Sequence, residues 1–78
     1  RALARSQPRQ ATRAEVGKAI EEVEQAASRI ADEGDHQADL SPQVAYIRHL
    51  QHVFAEEHGL ASSSTGREPT RRVVLYRR

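Results

Sequence analysis

The 78-residue sequence contains no cysteine, methionine or tryptophan, one phenylalanine, two tyrosines and a single lysine. Lack of cysteine excludes a disulfide framework and any thiolate metal site. It also suits a reducing cytoplasm, the compartment expected here. No stretch approaches the roughly 20 apolar residues of a membrane span, and nothing resembles the apolar core of a secretory signal, so no membrane partner is expected. Hydrophobic residues make up 37% of the chain, which at this length allows one small domain with a small core. The first residue is Arg1 rather than Met, and the sequence is accordingly read as a piece of a longer protein.

Catalytic patterns are missing too. His36, His49, His52 and His58 do not spell H-E-x-x-H, the helical zinc pattern. His49 and His52 beside Glu56 fit a solvated helix face better than a metal site. No serine lies in G-x-S-x-G. Gly17-Lys18 is followed by Ala19 and lacks the earlier glycine of a phosphate-binding loop. The expectation is a segment that is not an enzyme and holds neither metal nor cofactor.

What the chain does have is arginine, unevenly placed. The formal net charge of +1 hides three blocks. Residues 1–13 hold Arg1, Arg5, Arg9 and Arg13 and no acid. Residues 14–40 hold eight acids against Lys18 and Arg29, and residues 41–78 hold six arginines against Glu56, Glu57 and Glu68. Arginine grips phosphate through a planar fork, whereas lysine offers a point charge. The bias leans towards phosphate recognition, although a GC-rich genome produces the same one.

Residues 1–12 lack an apolar stripe and are expected to form a basic linker or disordered arm, leaving residues 13–78 as the domain. Thr12 to Glu15 spells a capping box, T-x-x-E. Behind it Val16, Ile20, Val23, Ala27 and Ile30 recur at helical spacing, widened by Ala19 and Ala26. Gly34 is the natural stop, so a helix is predicted over 13–33. Ser41-Pro42 is expected to open a second helix as N-cap and first helical residue. Its core-facing arc would be Tyr46, Ile47, Leu50, Val53 and Phe54, closed by Gly59-Leu60. Beyond Gly59 two β-compatible runs, 60–65 and 71–76, flank a loop holding Gly66 and Pro69, as in a hairpin. Val73 and Leu75 should face the helices, with Arg72, Val74 and Tyr76 outward. A hairpin alone is marginal, and residues 37–40 are the candidate third strand. The predicted fold is α+β, order α-β-α-β-β: a small three-stranded antiparallel sheet with two helices packed on one face.

Arg48 and His52 lie four apart, one turn above the other, pointing away from the predicted arc. An arginine fork beside an imidazole suits an anion such as a phosphodiester. The bland alternative is an ordinary solvated face, with His52 pairing Glu56. The residues that follow separate the two. Arg48-x-x-x-His52, then Gly59-Leu60, Ser62, Ser64, Gly66, Arg71-Arg72 and Val73 fall in register with the pattern R-x-x-x-H … G-L-x-S-x-S-x-G … R-x-V. Over residues 14–77 the chain resembles the R-three-H domain, a single-stranded nucleic-acid-binding module.

That resemblance implies a site for DNA or RNA. Arg48 and His52 would meet the backbone, with Arg71 or Arg72 as strand-borne partners. Ser62 and Ser64 would donate to phosphate, Gly66 would permit close approach, and Arg67 on the same loop completes the set. With Tyr46 and Phe54 assigned to the core, Tyr76 alone remains for base stacking. Residues 40–52 further resemble the C-terminal module of a bacterial and plastid family of AAA-type ATPases (the sporulation stage III AA-like group), with Jag-type RNA-binding proteins as second choice. The first implies an ATPase domain upstream in the parent chain. The isolated domain is expected to be monomeric. The rival reading is a protein-interaction module in which the acidic first helix pairs with a partner helix through its stripe.

Overall fold

The computed structural model describes residues 11–78; the predicted arm falls mainly outside them. The elements are α1 (Arg13–Asp32), β1 (Gln37–Asp39), α2 (Ala45–Glu57), β2 (Ala61–Thr65) and β3 (Arg72–Tyr76). Both helices lie against one face of a three-stranded antiparallel sheet in the order β1-β3-β2, the architecture the periodicities predict. No described helix is long and apolar enough to cross a membrane.

Helix α1 starts where the capping box places it. Glu15 N–H donates to Thr12 Oγ1 at 3.1 Å, and Thr12 N–H to Glu15 Oε1 at 2.9 Å, so each side chain satisfies a backbone donor the helix leaves free. The chain leaves α1 through Gly34, whose φ of +77° few other residues tolerate. The last turn is tied to the sheet by Arg77, which donates to the Ile30 carbonyl at 2.6 Å and the Asp35 carbonyl at 3.3 Å. A cation at a helix C-terminus also complements the dipole. The buried stripe is Ala19, Val23, Ala26 and Ile30, with Val16, Ile20 and Ala27 at its half-buried edges. A partner helix could reach that stripe only by opening the domain, which removes the basis of the rival reading.

Helix α2 begins later than predicted. Ser41 does not cap it: its N–H and Oγ both donate to Glu22 Oε2, at 2.9 and 2.8 Å. The Leu40 N–H donates to the Val73 carbonyl at 2.9 Å and the Gln43 N–H to the Arg71 carbonyl at 3.2 Å. These bonds hold residues 40–43 extended beside β3, so helical geometry starts at Ala45, with Val44 as N-cap.

The later start accompanies a different buried face. Ile47, Arg48, Gln51 and Ala55 are buried, whereas Tyr46 is 61% and Val53 40% exposed. Leu50 and Phe54 are half-buried at the edge. Tyr46 therefore joins Tyr76, itself 36% exposed, as an aromatic open to solvent, correcting the assignment of Tyr46 to the core. Gln51 occupies the centre of the helix–helix contact, fully buried, its Nε2 donating to the Ala19 carbonyl at 3.3 Å.

Strand β3 is central, pairing Val74 with Asp39 on one side and Ser63 on the other. Val73 and Leu75 face the helices and are fully buried, as the alternation predicts. Val74 points to the other face yet is only 3% exposed. It is framed by Arg72, whose Nε lies 3.2 Å from Asp39 Oδ2, and by Tyr76, whose hydroxyl lies 3.2 Å from Ser63 Oγ. Both bonds run between side chains on Val74's own strand and its cross-strand neighbours.

Candidate functional site

Three of the residues singled out in the sequence come together between α2 and β2. Ser62 and Ser64 alternate onto the helix-facing side of β2, where one imidazole spans both. His52 Nδ1 lies 2.6 Å from Ser62 Oγ and Nε2 lies 2.9 Å from Ser64 Oγ. In the neutral ring one nitrogen donates and the other accepts a hydroxyl proton; in the cation both serines accept. An open depression beside the ring is lined by His52, Glu56, Ser62 and Arg78 among others.

Burial lowers the His52 pKa below its usual 6.5, and the nearby His49 and Arg48 charges push the same way. The unfolded chain thus takes up this proton more readily than the folded one. The contribution of His52 to stability is complete above about pH 6.5 and is lost as pH falls below it. Urea unfolding at pH 7.5 and 5.5 should show a larger acid loss for the parent than for His52→Asn. Equal losses would mean that another group titrates.

Arg48 departs from the expected solvent-facing position. It is 9% exposed, with Nη1 donating to the Gln43 carbonyl at 2.6 Å and lying 3.1 Å from Glu68 Oε2. The guanidinium links the entry of α2 to the loop between β2 and β3. A cleft beside this contact is walled by Pro42, Val44, Ile47 and Pro69.

That loop, residues 66–71, carries Gly66, Arg67 and Arg71. Gly66 has φ +89°, a conformation that calls for glycine; an added Cβ would lie 3.0 Å from Arg72 Nη1, the far end of a flexible side chain, and 3.4 Å from the Thr70 carbonyl, so crowding alone would not. Arg71 Nη1 donates to the Gly66 carbonyl at 2.7 Å. Thr70 N–H and Oγ1 return to the Arg67 carbonyl at 2.7 and 3.0 Å, and the Arg67 side chain is exposed. The Glu68–Pro69 peptide is cis.

Arg72 belongs to the opposite face of the sheet, paired with Asp39. It therefore does not share a surface with His52, although its guanidinium reaches Gly66 at the sheet's end. Arg48, His52, Ser62, Ser64 and the loop form one group; Arg72 and Tyr76 form another behind it.

Glu68 and Gln43 were not singled out from the sequence. Glu68 carried a signal, being the only acid between His58 and Arg78, in a loop that otherwise supplies arginines. Gln43 contributes only its backbone carbonyl, which no residue type announces. Among the described residues no group of three or more acids and histidines could hold a metal ion. The sequence profile of the R-three-H domain matches residues 18–77. No curated protein matches the chain.

Proposed function

Because the chain belongs to the R-three-H domain family, in general a family of nucleic-acid-binding modules, we propose that it binds single-stranded DNA or RNA through the phosphate backbone. In this reading Arg48 and His52 grip the backbone, Arg67 and Arg71 extend the contact along the loop, and Gly66 keeps the approach open. Ser62 and Ser64 act through their bonds to His52 as well as by donating to phosphate. Arg72 would serve a strand that wraps over the sheet's end. The observation that carries this reading is the adjacency of Arg48, His52 and the arginine loop on one side of α2.

Contacts of this kind neutralise phosphates and release counterions without consulting the base, so binding is weak, sequence-tolerant and salt-sensitive. We further propose that the domain is an accessory to a larger protein with an upstream ATPase domain. This rests on the likeness of residues 40–52 to the C-terminal module of the ATPase family named above.

Fluorescence anisotropy with single-stranded DNA, single-stranded RNA and duplex at two salt concentrations tests the binding. With three to five phosphate contacts, log affinity for single strands should fall with log salt at a slope of roughly −2 to −3.5. Absence of binding to either single strand at low salt would end the proposal.

A further inference from the structure

We infer that Glu68 is an internal competitor for the phosphate, a carboxylate that pairs with Arg48 through Nη1 until a nucleic-acid strand displaces it. The inference rests on the reading of Arg48 as a backbone contact and adds a residue outside the family pattern. The two side chains differ sharply in their surroundings: that of Arg48 is 10% exposed and that of Glu68 62%. The exposed Glu68 carboxylate lies 3.1 Å from Nη1 of the buried guanidinium, so it offsets that charge from the solvent side of the pair. A carboxylate and a phosphate ask for the same thing from arginine, two oxygens facing a planar pair of N–H groups. The two anions therefore compete for the same Nη1.

The surroundings favour exchange over a permanent pair. Bonds of Arg71 to Gly66 and of Thr70 to Arg67 hold the loop without Glu68, so releasing its carboxylate need not unfold the segment. The Gln43 carbonyl accepts from the same Nη1, so the guanidinium stays oriented once Glu68 has left. The freed carboxylate is already largely in water, and the buried guanidinium exchanges it for a phosphate instead of being left uncompensated. A phosphate arriving there also meets Arg67 and Arg71 on the same loop.

Glu68→Gln keeps the side-chain length and removes the charge. Its affinity for a short single-stranded oligothymidylate at low salt should exceed the parent's by at least about threefold, because a competitor on a buried guanidinium holds it no less tightly than an exposed pair does. Glu57→Gln, on the last turn of α2, measures the general gain from deleting one negative charge and should give less than twofold. In an Arg48→Gln background the advantage of Glu68→Gln should shrink to that of the control. A gain no larger than the control's, or one that persists without Arg48, overturns the inference. Should Arg48→Gln fail to fold, the carboxyl resonance of Glu68 in the parent decides. It should shift on saturation with oligonucleotide, and a stationary resonance counts against displacement. Failure of every variant to bind single strands would instead defeat the functional proposal itself.

Discussion

Arg48→Ala is expected to weaken single-strand binding about tenfold at low salt, the scale of one charge-assisted hydrogen bond. The loss should be even across oligonucleotide sequences, because a guanidinium on a phosphate carries no base information. The salt dependence should become shallower by about 0.7, one phosphate contact fewer on a single strand. Anisotropy titrations at 50 and 200 mM salt with two unrelated sequences would measure all three. Arg48 also joins Gln43 to Glu68, so circular dichroism must accompany the titration to show that the variant is folded. A folded variant that binds like the parent at low salt would move the site away from α2. Arg48→Lys is informative beside it: the charge stays, but the fork that spans two acceptors is lost.

The largest expected effect on stability comes from Leu75→Ala. Leu75 is fully buried on the central strand, between Ala38 and Ser62 in the register, and belongs to the main core cluster. Truncating such a leucine costs about 3 kcal/mol, lost transfer energy plus the cavity left behind. For a domain of this size that lowers the thermal midpoint by roughly 12–24 °C. Val53→Ala supplies the contrast. Helical periodicity put Val53 on the core arc of α2, but it is 40% exposed, and its replacement by a better helix former should change stability by no more than about 0.5 kcal/mol. Thermal denaturation of the two variants ranks them. A large loss at Val53 would return the helix to the orientation its hydrophobic residues suggest.

That contrast shows how far the sequence was legible. Helix α1 could be read almost residue by residue, because its capping box, stripe and Gly34 are local signals that agree with one another. The hairpin and its phase followed from alternation around Val73 and Leu75. Helix α2 misled, and for a physical reason. Its buried face includes Arg48 and Gln51, polar residues that a hydrophobic pattern assigns to solvent, while Tyr46 and Val53 look apolar and remain outside. Partners distant in sequence make this possible: Ala19 receives the Gln51 amide and Glu68 meets the Arg48 guanidinium. Ser41 failed as a cap for a similar reason, since bonds to Glu22 on α1 and to the Val73 and Arg71 carbonyls hold its stretch extended. The site residues were legible as identities in a motif. Their roles were less so, because His52 with Ser62 and Ser64, and Arg48 with Glu68, are first of all contacts within the domain.

His52 carries opposed linkages. Folding disfavours its proton, whereas a phosphate beside the ring favours it. Acid should therefore tighten single-strand binding as pH falls below the ordinary histidine range, while it erodes the domain that does the binding.

The placement of β3 has a consequence for how the protein is made. Both other strands pair with it and neither pairs with the other, yet β3 is the last of the three in the chain. During synthesis α1, β1 and α2 emerge from the ribosome with no sheet to pack on, and β2 emerges before it has a neighbour. The two helices can pack on each other, but the sheet that completes the core does not exist until Arg72–Tyr76 arrives and pairs with both strands. Arg77, immediately behind, then ties α1 to the sheet. A chain released before Arg72 would hold two helices and no sheet, a form for chaperones or proteases to meet.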